Sequence, residues 1–391
     1  MPRSRIFILA GEPSGDMLGA RLIQALRDQA GEGVEFFGVG GPRMAGQGLA
    51  SLFPMQELSL IGFTEILPHL PRLGRRLWQT AAEIRRRRPD LVLTIDSPGF
   101  ALRLQRRLRA LPHARVHYVA PQVWAWREGR AAQLARTLDH LLALLPFEPP
   151  FFERHGLACS FVGHPIVEEA GRRGDGGRFR RRFEIPADAP LLCLLPGSRQ
   201  AEVERHLPVL EGAVTRLWPC CPRLRVVLPT LGVIAPVVRD LVAGWKVPVL
   251  VLEDRNERFD AYAASCLAIA ASGTVSLEVA LAGLPMITIY RTGPLTAWLA
   301  RRLLSVPHVN LVNLVLDRPA VPELLQEDCH PERIAALAER LIEDEQLRRA
   351  QQAALAEAVA RLDGGNHLPP SQRAAARVLD ILANHHDRRT A

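Results

Sequence analysis

The 391-residue sequence contains a single lysine, Lys246, so that 48 of its 49 basic side chains belong to arginine. Aromatic residues are also scarce, at 6% of the chain, and the arginines are spread along its whole length. Proteins that bind nucleic acids concentrate their basic residues in a patch with stacking aromatic side chains between them. The composition therefore argues against nucleic-acid binding. The net charge of +8 suits a phosphorylated substrate or an anionic membrane surface better.

Cysteine and long hydrophobic runs are scarce as well. The six cysteines form no CxxC pair at zinc or redox spacing, which favours a reducing compartment and gives no sign of a bound metal. One segment, 261–277, carries no charge, but its serines, threonine and glycine make it too polar to span a bilayer. Near the N-terminus, Glu12 and Asp16 follow the first apolar run too soon for a secretory signal. We therefore expect a cytoplasmic protein.

Apolar runs rich in β-branched residues alternate with helical patterns, which indicates parallel strands joined by crossover helices and an α/β fold. The first such helix presents Leu18, Leu22 and Leu26 on one face. Strands are expected at residues 5–10, 34–39, 91–95, 116–119, 141–145, 160–162, 191–195, 224–228, 247–252, 267–270 and 286–290.

The chain divides into two similar halves, because the strand, small-residue loop and helix of the opening segment recur after residue 190. Between the halves, a stretch rich in glycine and arginine shows no apolar period and reads as a linker. We predict two Rossmann-like, doubly wound domains facing a cleft. The predicted segments are 1–170, a linker at 171–189, 190–345, and C-terminal helices at 346–391 that pack back on the first domain.

The segment PGSR at 196–199 stands between a predicted strand and a predicted helix. The amides of Gly197 and Ser198, the helix N-terminus and the guanidinium of Arg199 together suit an anion such as a diphosphate. The alternative is a small-residue turn that carries a surface arginine.

A second loop in the same half brings Ser272, Gly273 and Thr274 to the start of a helix that holds Glu278 in its first turn. Its amides and hydroxyls can bind phosphate, and the carboxylate can accept two ribose hydroxyls. Alternatively, Glu278 complements the helix dipole. The two loops together favour a nucleoside diphosphate.

In the first half, Asp96 directly follows a predicted strand, where its carboxylate could remove a proton from an attacking hydroxyl. An aspartate before a turn is also a frequent cap of the backbone, so both roles stay open. Glu12, Ser14 and Asp16 form a polar cluster on the first loop with the same ambiguity.

Two amphipathic stretches, 59–78 and 295–309, combine apolar or aromatic side chains with arginines, as a helix at a membrane interface does. The same pattern is typical of an ordinary helix with one face in the core and the other in solvent.

The sequence resembles the lipid-A-disaccharide synthase family of GT-B glycosyltransferases over nearly its whole length. The segments that carry this resemblance are AGEPSGDMLGA (10–20), GVGGPRM (38–44), IDSPGF (95–100), HYVAPQVWAWREGR (117–130), LPFEPPFF (145–152), FVGHP (161–165), LLPGSRQAEV (194–203), ASGTVSLE (271–278) and VPELLQ (321–326).

The resemblance implies transfer of 2,3-diacylglucosamine from its UDP derivative to the 6-hydroxyl of 2,3-diacylglucosamine 1-phosphate, with inversion and without a metal or other cofactor. It implies that Asp96 is the catalytic base and that Arg199 acts on the diphosphate. The implied UDP-side residues are Gly197, Ser198, Ser272, Gly273, Thr274, Glu278, Asn313 and Gln326, and the implied acceptor-side residues are Glu12, Ser14 and Asp16.

The chain departs from the family pattern at Gly99, where a second aspartate is frequent. This motif therefore offers no other carboxylate as the base, and the role is left to Asp96. Pro319 likewise stands where a glutamate is usual. The implied location is the cytoplasmic side of the inner membrane, with peripheral attachment to its inner leaflet, while the sequence leaves open whether the protein forms a homodimer. Two other functions stay open: an enzyme like the UDP-N-acetylglucosamine 2-epimerases, and a non-catalytic protein that binds membranes or polyanions.

Overall fold

A computed structural model of the chain describes residues 4–58, 63–126, 128–169, 174–254, 256–303, 306–365 and 368–390. It contains two compact units. The first unit comprises Met1–Pro165 and Asp363–Ala391, and the second comprises Ile166–Leu362. Each unit is built around its own six-stranded sheet, in which every pairing is parallel.

The first unit has the strand order β2-β1-β3-β4-β5-β6. Its strands are β1 (Ser4–Ala10), β2 (Val34–Val39), β3 (Leu91–Ile95), β4 (Ala114–Tyr118), β5 (His140–Ala143) and β6 (Cys159–Phe161). Its helices are α1 (Pro13–Ala30), α2 (Pro42–Gly46), α3 (Phe63–Arg87), α4 (Pro98–Leu108), α5 (Val123–Trp126), α6 (Ala131–Ala135), α7 (Glu148–Glu153) and α17 (Pro370–Thr390). The order reverses between β1 and β3, which makes their carboxyl ends the switch point where such sheets bind ligands.

Helices cover both faces of this sheet, so its strands are apolar throughout rather than alternating. Residues 6–10 of β1 and all of β3 are buried. On one face, the predicted stripe of Leu18, Leu22 and Leu26 packs into the core, as expected from its spacing. The C-terminal helix α17 adds four apolar residues to the same cluster, Ala374, Ala375, Val378 and Leu382.

The second unit has the strand order β12-β11-β10-β7-β8-β9, with its switch point between β7 and β10. Its strands are β7 (Leu191–Leu195), β8 (Arg225–Pro229), β9 (Val249–Leu252), β10 (Leu267–Ala271), β11 (Met286–Tyr290) and β12 (Glu323–Leu325). Its helices are α8 (Gly176–Arg182), α9 (Gln200–Leu217), α10 (Ala235–Val242), α11 (Arg258–Ala264), α12 (Val275–Leu281), α13 (Pro294–Leu303), α14 (Leu311–Leu316), α15 (Pro331–Glu343) and α16 (Glu345–Asp363).

The segment predicted as a linker differs from that prediction where the structure describes it. Residues 171–173 lie outside the described part, and α8 follows, capped by Asp175, which accepts the Arg178 N–H at 2.8 Å. The glycines permit close packing on α11, because a Cβ on Gly174 would lie 1.9 Å from the carbonyl oxygen of Phe259. Small side chains thus bring this segment onto the second unit.

The C-terminal helices also divide differently from the prediction, because α16 belongs to the second unit up to Leu362 and α17 to the first. The buried side chain of Gln351 explains the position of α16. It accepts the N–H of Met286 at 2.6 Å and donates to the carbonyl oxygen of the same residue at 3.1 Å, which ties α16 to the start of β11.

The described parts of the two amphipathic stretches lie mainly in α3 and α13. Residues 59–62 and 304–305 and the side chains of residues 63–70, 295 and 300 are outside the described part of the chain. In α3, Leu73 and Leu77 pack against the core of the first unit, whereas Trp78 is exposed. In α13, Trp298 and Leu299 are exposed. Of the helices in the described ranges, none combines the length and the apolar character needed to cross a membrane.

Candidate functional site

The loops that follow β1 and β3 touch at the switch point of the first unit. A Cβ on Gly11, the first residue after β1, would lie 2.4 Å from the Oγ of Ser97 in the loop after β3. Only glycine therefore permits this approach at position 11. The packing places the start of α1 beside the Asp96–Ser97 turn. The sequence predicted Glu12, Ser14 and Asp16 on a loop, whereas Glu12 is the N-cap of α1 and the other two lie in its first turn.

Asp96 and Ser97 both adopt left-handed backbone conformations, with φ of 53° and 46°. Two consecutive residues of this kind store strain, which is frequent where a fold presents functional side chains. The Ser97 N–H donates to Asp96 Oδ1 at 2.8 Å, and burial raises the pKa of the Asp96 carboxyl above its ordinary value. The Ser97 hydroxyl is buried and has no hydrogen-bond partner among the described residues. A ligand hydroxyl brought to this turn could bond to the Asp96 carboxylate and to the Ser97 hydroxyl.

Asp16, in the first turn of α1, has different surroundings from Glu12 and Ser14. It is 3% exposed, and its carboxylate accepts the backbone N–H groups of Gly41, Arg43 and Met44 at 2.8, 3.0 and 3.0 Å. These contacts fix the start of α2 against α1. Glu12 and Ser14, by contrast, are exposed. Of the three residues named for the acceptor side, Asp16 acts through the backbone and the other two face outwards.

In the second unit, the loops after β7 and β10 stand side by side, because Leu195 pairs with Ala270 in adjacent parallel strands. The sheet therefore brings the 196–199 loop and the 272–274 loop together at the switch point, where ligand loops were expected. Gly197 has a φ of 125°, and a Cβ there would lie 2.6 Å from Glu202 Oε2. Glycine is required at this position by both backbone and space.

Glu202 occupies donors that the sequence analysis assigned to an anion. Its Oε2 accepts the N–H groups of Ser198 and Arg199 at 3.1 and 3.3 Å, and Oε1 lies 3.3 Å from Arg199 Nη1. The Arg199 side chain is 69% exposed and remains accessible. An incoming diphosphate would thus meet the guanidinium first and would compete with this carboxylate for the amides.

Two buried hydroxyls flank the loop after β7, since β7 lies between β10 and β8. Ser272 follows β10 and Thr230 follows β8, and the side-chain oxygen of each has no partner among the described residues. Buried hydroxyls normally find a partner, so each of these can bond to a water or to a ligand beside this loop. Sequence reasoning named Ser272 and missed Thr230, whose only signal was its place directly after a strand.

Glu278 lies half-buried in the first turn of α12 and forms an ion pair with Arg258, with 3.3 Å between Oε2 and Nη1. Arg258 also lies 3.5 Å from Glu169, and the buried Tyr262 hydroxyl bonds to Glu278. These contacts hold the carboxylate in one orientation. Arg258 was not foreseen, since it precedes Glu278 in the chain by 20 residues.

Asn313 is fully buried, and its amide is engaged on both sides. Its oxygen accepts the N–H groups of Ala320 and Val321 at 2.9 and 2.8 Å, and its nitrogen donates to the Val321 carbonyl and to Glu323 at 2.8 and 2.6 Å. Gln326 similarly accepts the Thr292 N–H at 3.2 Å. Both side chains hold loops at the edge of the second sheet.

No cluster of three or more His, Cys, Asp or Glu side chains suited to a metal ion occurs in the part of the chain described.

Comparison with known proteins gives the family. Residues 6–374 match the lipid-A-disaccharide synthetase family. The lipid-A-disaccharide synthase of Rhodospirillum centenum is 52% identical over 96% of this chain and 94% of its own length. That of Paramagnetospirillum magneticum is 47% identical over 96% and 97%.

Among solved structures, the UDP-GlcNAc 2-epimerase of Neisseria meningitidis bound to UDP-GlcNAc aligns with a TM-score of 0.61 at 11% identity, covering 98% of this chain and 100% of the other. At this identity the likeness shows the fold alone, the two-domain α/β architecture that GT-B glycosyltransferases and these epimerases share. The family match and the two full-length relatives show more: the chain belongs to the lipid-A-disaccharide synthetase family.

Proposed function

We propose that the protein transfers 2,3-diacylglucosamine from UDP-2,3-diacylglucosamine to the 6-hydroxyl of 2,3-diacylglucosamine 1-phosphate, with inversion at the anomeric carbon. The observation that carries this proposal is family membership over nearly the whole chain. The positions of Asp96 and Arg199 at the switch points of two different sheets add support, because each unit then offers its own substrate site.

Asp96 is the general base of this proposal. As the acceptor oxygen forms its bond to the anomeric carbon, the carboxylate takes the hydroxyl proton, and the bond to the UDP oxygen breaks with its electron pair. The raised pKa makes the Asp96 carboxylate more basic than an exposed one. Glu12 and Ser14, exposed at the start of α1, are proposed to contact the acceptor, and Asp16 holds this helix start against α2.

Arg199 stabilises the negative charge that develops on the departing diphosphate, an interaction that strengthens in the transition state. Gly197 and Ser198 offer backbone donors once the Glu202 carboxylate moves aside, and Ser272, Gly273 and Thr274 line the adjacent loop. Glu278 accepts the ribose hydroxyls. Asn313 and Gln326 contribute by fixing the loops around this site rather than by bonding to the nucleotide.

The experiment is mass spectrometry of the products formed from the UDP-linked donor and the phosphorylated acceptor. The expected result is the lipid A disaccharide 1-phosphate together with UDP. A parallel reaction with UDP-N-acetylglucosamine alone tests the epimerase alternative, which predicts a change in that substrate. Absence of disaccharide with both substrates present would refute the proposal.

We also propose that the protein works at the cytoplasmic face of the inner membrane, bound peripherally. Trp298 and Leu299 of α13 are 49% and 47% exposed, and the Arg302 guanidinium lies 4.2 Å from the Trp298 ring centre. Apolar side chains beside cations are typical of an interfacial helix. Such an attachment would bring the protein to its proposed diacyl substrates, whose acyl chains lie in the membrane.

Sedimentation with phosphatidylglycerol vesicles tests this attachment. Because burying each large apolar side chain is worth about 1.5–3 kcal/mol, the double variant Trp298→Asp with Leu299→Asp should bind at least tenfold more weakly. Val233→Asp is the matched control, since Val233 is an exposed apolar residue of the same unit. Equal binding of the double variant and the wild type would refute a role for α13.

A further inference from the structure

His206 lies in the second turn of α9 and is fully buried, yet both of its ring nitrogens are bonded to backbone atoms of other segments. Nδ1 lies 2.6 Å from the carbonyl oxygen of Pro196, the first residue of the loop after β7. Nε2 accepts the N–H of Arg291, the first residue after β11, at 2.9 Å. One ring therefore joins two loops at the carboxyl edge of the second sheet.

These partners fix the protonation of the ring. A carbonyl oxygen only accepts, so Nδ1 carries the hydrogen, and a backbone N–H only donates, so Nε2 presents its lone pair. Burial also lowers the pKa of His206, which agrees with a neutral ring. Protonation would place a hydrogen on Nε2, so that two donors would face each other and the bond from the Arg291 N–H would be lost. The side chain is thus a neutral, directional tie between the two loops.

The two loops that His206 joins stand on either side of the candidate nucleotide loop. In the sheet, β10 lies between β7 and β11, so the two loops that His206 joins stand two strand spacings apart, about 9–10 Å. The loop after β10, residues 272–274, lies between them. A second side chain also holds the segment after β11, because Gln326 accepts the N–H of Thr292, the residue after Arg291, at 3.2 Å. Tyr290 packs near the ring, with 5.7 Å between ring centres.

We propose that His206 is a positioning residue for the UDP end of the donor: it sets the separation of the Pro196 and Arg291 loops, and thereby the position of Arg199. It touches no substrate atom, since it is buried beneath the loops. This proposal rests on the proposed function, because it takes the loops after β7 and β10 as the donor's diphosphate site.

The test compares three variants with one control. His206→Leu removes both bonds, His206→Asn keeps a donor near Nδ1 for Pro196, and His206→Gln keeps an acceptor near Nε2 for Arg291. Gln351→Leu is the control, because Gln351 is a buried polar residue of the same unit that also bonds to backbone groups. Its partners are the N–H and carbonyl of Met286, at the start of β11, and the Ala320 carbonyl at 3.4 Å. The readouts are calorimetric affinity for UDP, KM for each substrate, and Tm.

We expect His206→Leu to weaken UDP binding and to raise the donor KM at least tenfold, while the acceptor KM stays within twofold of wild type. The UDP affinity and donor KM of His206→Asn and His206→Gln should lie between those of the wild type and those of His206→Leu, since each variant keeps one of the two bonds. Gln351→Leu should lower Tm but leave UDP affinity within twofold. A role confined to stability would instead lower Tm in both leucine variants and change no affinity.

Wild-type UDP affinity in folded His206→Leu overturns the inference. If that variant does not fold, unchanged UDP affinity in both the Asn and the Gln variant overturns it equally. Failure of the wild-type protein to bind UDP would refute the proposed function instead, and this inference with it. The two failures are therefore distinguishable.

Discussion

Replacing Asn313 by alanine tests whether this residue binds the nucleotide or supports a loop. The change leaves the N–H groups of Ala320 and Val321 without their acceptor and takes a donor from Glu323. A buried donor left without a partner costs about 1–3 kcal/mol, so the two N–H groups alone should lower the free energy of unfolding by about 2–6 kcal/mol. Because domains are stable by only about 5–15 kcal/mol, this loss is severe.

Urea denaturation followed by tryptophan fluorescence measures the effect, since Trp218 and Trp245 pack against the core of the second unit. With a urea dependence of about 2–3 kcal/mol per molar, the midpoint should fall by about 1 M or more. UDP affinity of the folded fraction should change by less than tenfold, because Asn313 supports a loop and does not bond to the nucleotide. Asn256→Ala, at an exposed position of the same unit, is the control and should unfold at the wild-type urea concentration.

The reasoning is refuted if Asn313→Ala unfolds like the wild type and binds UDP more than tenfold more weakly. That outcome would make Asn313 a direct ligand of the nucleotide, as the family resemblance implied.

Four further predictions concern the reaction and the effect of pH. Asp96→Asn keeps the shape of the side chain but removes its basicity, so turnover should fall by about 10²–10⁴ with little change in donor affinity; retention of more than a tenth of wild-type turnover excludes Asp96 as the base. Arg199→Ala should lower turnover at saturating donor by about 10² or more, because charge develops on the departing diphosphate; near wild-type turnover would contradict this role. Activity should survive EDTA, because Arg199 and the loop amides supply the charge that the diphosphate needs; loss of activity that Mg²⁺ restores would contradict a metal-free reaction. The first unit should lose stability, by more than about 2 kcal/mol, as pH falls from 6.5 towards 4, because burial lowers the pKa of four histidines from 6.5 to about 4 and only the unfolded chain binds protons there. These histidines are His113, His117, His140 and His164. Glu148, with a pKa raised to about 7 by burial, and Asp96, whose pKa burial also raises, act in the opposite direction but are two groups against four. An unfolding curve that is identical at pH 5 and pH 7 would therefore contradict the prediction.

The sequence predicted the strands well because their signal is local. Of the twelve strands in the described residues, eleven lie at or near the expected positions, since buried parallel strands are continuous apolar runs. The missed strand, β12, has three residues and carries Glu323, so it offers neither length nor an apolar run. This strand is stabilised by its pairing with β11, a tertiary contact that its own sequence does not signal.

The loops were also predictable, because a small-residue segment between an apolar strand and a helix marks a carboxyl edge. The contacts of individual polar residues could not be predicted from the sequence. Asp16 bonds to amides 25–28 residues away, and Glu202 folds back on the loop that precedes its own helix. Such partners depend on the tertiary structure. A polar side chain in a family motif can therefore hold the site rather than contact the substrate.

The packing of α17 on the first unit has a consequence for synthesis on the ribosome. The helix that completes the apolar cluster around α1 contributes residues 374–382, so the cluster cannot close until the whole second unit has been synthesised. The second unit, a continuous segment, meets no such delay. Of the two units, the one whose synthesis starts first is thus completed last, and until then its apolar face is exposed to aggregation or to chaperones.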